Sequence, residues 1–194
     1  MNLIKRLNTL IISPKTIIES AFAPALAGLG LMTIPLIAMQ FTTEVVWTIF
    51  DFGVAWSLIF GAGFTFQLIS KKTENSAYKI ATGLAAFASL AILWVNGAVG
   101  IIGNESNPLN LLFGVVLMMV VFGSYIAKLE AKRMSRVMLS TAVTQIIITF
   151  SGTMIHLGQN PGYQFSGILR ITMIFTVVWL LASLFYRRAG MLEE

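Results

Sequence analysis

Apolar residues in this chain come in long uninterrupted runs separated by short charged turns. Stretches free of Asp, Glu, Lys and Arg extend from Ser20 to Thr43, Ile80 to Asn104, Ser106 to Ala127, Val137 to Leu169 and Ile171 to Tyr186, and Val45 to Ser70 is broken only by Asp51. A helix needs roughly 17 to 25 apolar residues to cross about 30 Å of hydrocarbon, so each run suffices, the last near the lower limit. The pattern predicts six spans, over about Phe22–Gln40, Trp47–Ile69, Ile80–Gly103, Pro108–Lys128, Val137–Leu157 and Ile168–Tyr186. The fold class is an all-α integral membrane protein, a six-transmembrane-helix bundle.

Ahead of the first span, Leu3, Ile4, Leu7, Leu10 and Ile11 recur at helical spacing with Lys5, Arg6, Asn8 and Thr9 between them. That is the pattern of an interfacial amphipathic helix. Ser13 and Pro14 read as the cap and first residue of the helix that follows. The organisation expected is an amphipathic N-terminal segment, residues 1–19, and a single six-helix membrane domain, residues 20–194. Lys5, Arg6 and the triplet Ala21-Phe22-Ala23 resemble parts of a cleaved signal, but Pro14, Lys15 and Glu19 interrupt the apolar stretch between them, so the segment is expected to be retained.

Composition agrees: 57% of the residues are hydrophobic and 11% charged, where a soluble domain carries about 25% charged residues. A soluble fold is excluded, and the turns are too short to hold a catalytic module in water. There is no cysteine, hence no disulfide or thiolate chemistry. The formal charge of +5 is explained by topology. Lys5, Arg6 and Lys15 precede the first span, Lys71, Lys72 and Lys79 lie between the second and third, Lys128, Lys132, Arg133 and Arg136 between the fourth and fifth, and Arg187 and Arg188 follow the sixth. Only Arg170 falls on the other side, so both termini are expected in the cytoplasm. Cations that orient spans need no nucleic-acid partner, and none is expected. Glu44, Asp51, Glu105, His156 and Arg170 gather on the opposite side, and Trp47, Trp94, Tyr163 and Tyr186 fall near interfaces as aromatic belts do.

Small residues let membrane helices approach closely. Gly53, Ser57 and Gly61 form one predicted seam, and Ala81, Ala85 and Ser89 another. Gly97, Gly100 and Gly103 are read the same way; their spacing vaguely suggests a phosphate loop, but no strand precedes them. No internal repeat supports a transporter built from inverted halves.

Two polar stripes carry the candidate chemistry. Ser89, Asn96, Gly100 and Gly103 lead along the third span toward the loop Asn104-Glu105-Ser106-Asn107-Pro108, and Thr141, Gln145, Gly152 and His156 run along the fifth. Amides in hydrocarbon need protein or water partners. If these faces meet, Asn96 and Gln145 line an interior, with Glu105, His156 and Asp51 at its mouth.

Plainer readings compete. Thr48-Ile49-Phe50-Asp51 fits a capping box, with Trp47 and Phe52 at the staple positions. Asn107 before Pro108 reads as the cap of the fourth span. Glu105 is either solvated, paired with Arg170, or part of a site. A lone His is more often a hydrogen-bonded interfacial residue than a ligand, although an imidazole suits a pH-sensitive gate. Asn96 and Gln145 are also natural interhelical hydrogen-bonding glue. No nucleophile, acid and His stand at a recognisable spacing and no carboxylate-His pattern repeats, so no enzyme activity, cofactor or metal site is expected.

The run Trp94-Val95-Asn96-Gly97-Ala98-Val99-Gly100-Ile101-Ile102-Gly103-Asn104-Glu105-Ser106-Asn107-Pro108-Leu109-Asn110, with Glu44-Val45-Val46-Trp47-Thr48-Ile49-Phe50-Asp51-Phe52, resembles an uncharacterised family of small bacterial six-helix inner-membrane proteins. The likeness covers about Pro35 to Arg188; Val46 and Gly97 stand where Asn and Leu belong, and residues 1–19 look like an extension. It implies a bacterial membrane location and no activity. Function is therefore expected to be an outward-facing polar cavity that binds or passes a cation, proton or small polar solute, built on Asp51, Asn96, Glu105, Gln145, His156 and Arg170. The rival expectations are an accessory or assembly subunit of a larger membrane complex, with other subunits or a second copy as partner, and a lipid-binding membrane protein.

Overall fold

The computed structural model describes residues 14–162 and 166–192, so the predicted amphipathic helix, the Ser13 cap of the helix after it and Tyr163 lie outside the described residues. Six helices follow one another: α1 Pro14–Phe41, α2 Ile49–Ser70, α3 Ser76–Ala98, α4 Phe113–Ala127, α5 Ala131–Gln159 and α6 Ser166–Met191. A short 3-10 turn, Pro108–Leu112, leads into α4. The described residues contain no strand. All six helices, the fourth counted with its 3-10 turn, are long and apolar enough to cross a membrane. The chain folds as two compact units that divide between Lys72 and Thr73.

The first unit is the α1–α2 hairpin. On α1, Ser20, Pro24, Gly28 and Met32 are buried at four-residue spacing, the spacing that keeps side chains on one helix face. Lack of a side chain brings the helices together there. A Cβ on Gly28 would stand 3.0 Å from Trp56 Cδ1, and one on Gly63 would stand 2.9 Å from Pro24 Cβ. The Trp56 indole donates to the carbonyl of Ala25 at 3.3 Å, and Trp56, Phe60 and Phe64 stack in a row with centroids 5.0 and 5.5 Å apart. The seam expected on Gly53, Ser57 and Gly61 is not the one used. A Cβ on Gly53 or Gly61 would meet nothing within 4 Å, and Ser57 turns its hydroxyl back to Gly53 O of its own helix at 2.7 Å. Small residues line two faces of α2, and the face with the aromatic shelf takes the proline ring of α1.

In the second unit α6 packs along both α3 and α5, and α4 packs on α5. Of the α3 seam expected on Ala81, Ala85 and Ser89, the two alanines are buried and the seam continues through Ala88 and Ile92, while Ser89 is half-buried and donates to Ala85 O of its own helix at 2.8 Å. The seam meets Tyr186, which is 1% exposed; its hydroxyl finds Thr82 Oγ1 at 3.0 Å and its ring meets Tyr78 edge-on at 5.0 Å. Between α5 and α6, Ser183 donates to Ser135 O at 2.8 Å. The α4–α5 turn places Lys128 (φ 52°) and Leu129 (φ 57°) in the left-handed region. Tyr78 Oη donates to Leu129 O at 2.6 Å and holds the turn.

Several helix ends depart from the apolar runs, two of them most clearly. α3 stops at Ala98, not Gly103, because Gly100 turns the chain at φ +72°. α5 begins at Ala131, about two turns before its apolar run, since a helix continues on backbone hydrogen bonds after hydropathy has ended.

Candidate functional site

A cluster of polar residues of the second unit lies at the end where α3 and α5 finish and α4 begins, and the chain between α3 and α4 builds it. After Gly100, the amides of Ile101 and Ile102 both donate to Asn110 Oδ1, at 3.0 and 2.9 Å. The Asn110 amide returns two bonds, to Ile102 O at 3.2 Å and Asn104 O at 2.7 Å. One buried side chain thus satisfies four backbone groups that helix termination would leave unpaired. The clamp presses Ile101 and Ile102 inward, where they are 2% and 0% exposed. Ile102 lies against Gly152 of α5, where a Cβ would overlap its Cδ1.

Gly103 then brings the backbone onto His156. At φ +73° it adopts a conformation few other residues reach, and a Cβ there would stand 2.9 Å from both Asn107 Nδ2 and His156 Cε1. Asn107 works with both ends of its amide. Its Oδ1 accepts from Leu109 N at 3.0 Å, the cap expected before Pro108, so its Nδ2 faces His156 Nδ1, 3.1 Å away. An amide NH2 only donates, so Nδ1 is the acceptor in this contact. Asn160 donates to His156 O at 3.3 Å.

From His156 a polar file descends α5 through Thr153, Thr149 and Gln145, at spacings that keep them on one face. It is about 16 Å long at 1.5 Å per residue. Gln145 is 0% exposed, Thr149 3% and Thr153 6%. Gln145 Oε1 accepts from the Trp179 indole at 2.8 Å. Gln145 Nε2, Thr149 Oγ1 and Thr153 Oγ1 are buried with no protein partner. Buried polar groups ordinarily have one, and an unmade bond costs about 1–3 kcal/mol. Three in a row make a polar strip within the second unit.

The other sequence candidates have different partners. Asn96 donates to Ile92 O of its own helix at 2.9 Å, with Oδ1 buried and unpartnered. It does not bond to Gln145, which binds α6 instead. Glu105 and Arg170 are both exposed, and no ion pair joins them among the described residues. Asp51 belongs to the first unit, where its carboxylate accepts from Thr48 N at 2.6 Å and Thr48 Oγ1 at 2.7 Å. Trp47 and Phe52 close the staple beside it, with centroids 5.2 Å apart. That is the capping box, complete. Among the described residues no three His, Cys, Asp or Glu side chains gather as a metal site.

Sequence reading assigned no role to Asn110 or Trp179. The first carries a local signal, an Asn three residues beyond a capping Asn in a glycine-bounded loop; the second lies in a featureless apolar run. Compared with known protein families, curated proteins and solved structures, the chain matches none of them.

Proposed function

We propose that this is a multi-pass protein of the bacterial inner membrane, both termini cytoplasmic, whose second unit binds a small polar solute, or passes a proton or cation, at the His156 end of the α5 polar file. The buried, unpartnered Gln145 Nε2, Thr149 Oγ1 and Thr153 Oγ1 beneath His156 carry this reading. They offer an amide donor and two hydroxyls in line, the uncharged groups that replace hydration around a small polar species. Glu105, exposed on the loop above, attracts cations to the entrance. Membrane insertion is supported by the large apolar side chains that face outward on all six helices, among them Ile49 at 92% and Leu111, in the turn leading into α4, at 80%, since a protein in water rarely exposes broad apolar patches. The distribution of Lys and Arg supports the orientation.

Purified protein in liposomes tests the reading by flux of protons, monovalent cations and small neutral solutes. Flux above empty vesicles that falls in Gln145→Leu and Glu105→Gln is the expected result. Flux equal to empty vesicles for every species would refute it.

One observation favours a second reading, an accessory subunit: the Gly53, Ser57 and Gly61 stripe lies open, with nothing within 4 Å of a Cβ at either glycine. A partner helix docked there would be lost from gentle detergent extracts of a Gly61→Leu variant.

A further inference from the structure

We infer that the groove between α4 and α5, beside their connecting turn, binds an anionic phospholipid, its phosphate on Arg136 and Arg133 and an acyl chain along the α4 face. The groove has a volume of about 320 Å³ and is lined by Met119, Gly123 and Ile126 of α4 and by Arg133, Arg136 and Val137 of α5. Its two ends differ in chemistry. At one, the guanidiniums stand three residues apart on one helix, the spacing that places side chains side by side. Arg133 is partly neutralised, its Nε 2.8 Å from Glu130 Oε2. Arg136 is exposed and has no ion pair or hydrogen bond among the described residues, so the mouth keeps a net positive charge.

The rest of the groove is apolar, and Gly123 shapes it. A Cβ there would run into Val137 Cγ1, so the bare backbone sets α4 close on α5 with a trough between the flanking Met119 and Ile126. A free anion has no use for such a trough, and an uncharged lipid has none for an unpaired guanidinium. A lipid with an anionic headgroup uses both, and basic pockets between helices on the cytoplasmic side are where such headgroups bind. Turn and groove lie at the end that the cation pattern assigns to the cytoplasm. The inference rests on the membrane reading and not on the His156 site.

The test uses the full chain, delipidated in detergent and read by native mass spectrometry with phosphatidylglycerol, phosphatidylcholine or inorganic phosphate. One phosphatidylglycerol per chain is expected, retained about tenfold over phosphatidylcholine, with about fivefold less in Arg136→Ala and partial recovery in Arg136→Lys. Arg136 is exposed, so these variants fold. Equal retention of the two lipids, or unchanged retention in Arg136→Ala, would overturn the inference. So would displacement by inorganic phosphate at equal concentration, which would mark a plain anion site. Recovery of the expressed chain in the soluble fraction would sink the membrane reading itself, so the two failures are distinct.

Discussion

The indole Nε1 of Trp179 donates to Oε1 of Gln145 across 2.8 Å, and both side chains are 0% exposed. This bond ties α6 to α5 at mid-height and fixes which end of the Gln145 amide faces the polar file. Removing either partner strands the other. Trp179→Phe leaves Gln145 with neither end bonded and is expected to cost about 1–3 kcal/mol. Gln145→Leu strands only the indole N–H while removing the orphaned Nε2, and should cost less. Trp179→Phe combined with Gln145→Leu leaves no stranded group, so the double variant should be more stable than Trp179→Phe alone. Thermal unfolding of the four proteins in one detergent closes the cycle.

Asn110 is the keystone of the loop above. Asn110→Leu discards four bonds to backbone groups of Ile101, Ile102 and Asn104, and a loss of about 2–4 kcal/mol is expected. Asn110→Asp separates the two halves of the clamp. The carboxylate still accepts from the Ile101 and Ile102 amides but faces the Ile102 and Asn104 carbonyls with no donor. Hydrogen exchange should then accelerate modestly at Ile101 and Ile102 in Asn110→Asp and strongly in Asn110→Leu. Equal exchange in wild type and Asn110→Leu would show that the clamp is not what orders the loop.

The six helices were legible because an apolar run of span length has few other solutions, and the Thr48–Asp51 and Asn107–Pro108 caps because every atom involved lies within three residues. What was hidden depends on partners far along the chain. Nothing near Tyr186 in the chain signals its burial, because Thr82, which partners its hydroxyl, lies 104 residues away. Gln145 and Asn96 look like a pair because both are amides on polar stripes, yet Asn96 lies 20 residues into α3 and Gln145 14 into α5, about 9 Å apart in depth if the helices start level. The choice between the two small-residue faces of α2 turned on the ring of Pro24, which packs at Gly63 from the other helix; Trp56, Phe60 and Phe64 recur at four-residue spacing, but that spacing does not say which face meets α1.

Gly97, Gly100 and Gly103 look alike in sequence and should behave differently. Gly97 is helical with open space where a Cβ would go, so Gly97→Ala should stabilise by up to about 1 kcal/mol through helix propensity. Gly103→Ala meets a left-handed φ of +73° and places a methyl against Asn107 and His156. The backbone conformation alone costs about 1–2 kcal/mol, and the loop must lift from the imidazole. Modification of His156 by diethyl pyrocarbonate should then be faster in Gly103→Ala than in wild type and unchanged in Gly97→Ala. Identical rates in all three would separate the loop from the His156 site.

Asp51 is where a structural role and a functional one can be told apart. Its carboxylate accepts from both the amide and the hydroxyl of Thr48 while its own amide donates back to Thr48 Oγ1 at 3.3 Å. Thr48→Ala removes the cap hydroxyl and should lower stability by about 1 kcal/mol. Asp51→Asn keeps an oxygen that can accept from Thr48 N but loses the charge that favours a helix N-terminus, a smaller cost of about 0.3–1 kcal/mol. A purely capping Asp51 predicts that solute flux in liposomes is the same for wild type and Asp51→Asn once the amount of folded protein is matched. Glu105→Gln, exposed on the loop of the other unit, lowers flux under the same matching. A fall in flux for Asp51→Asn as large as that for Glu105→Gln would move Asp51 from the helix start to the path of the solute.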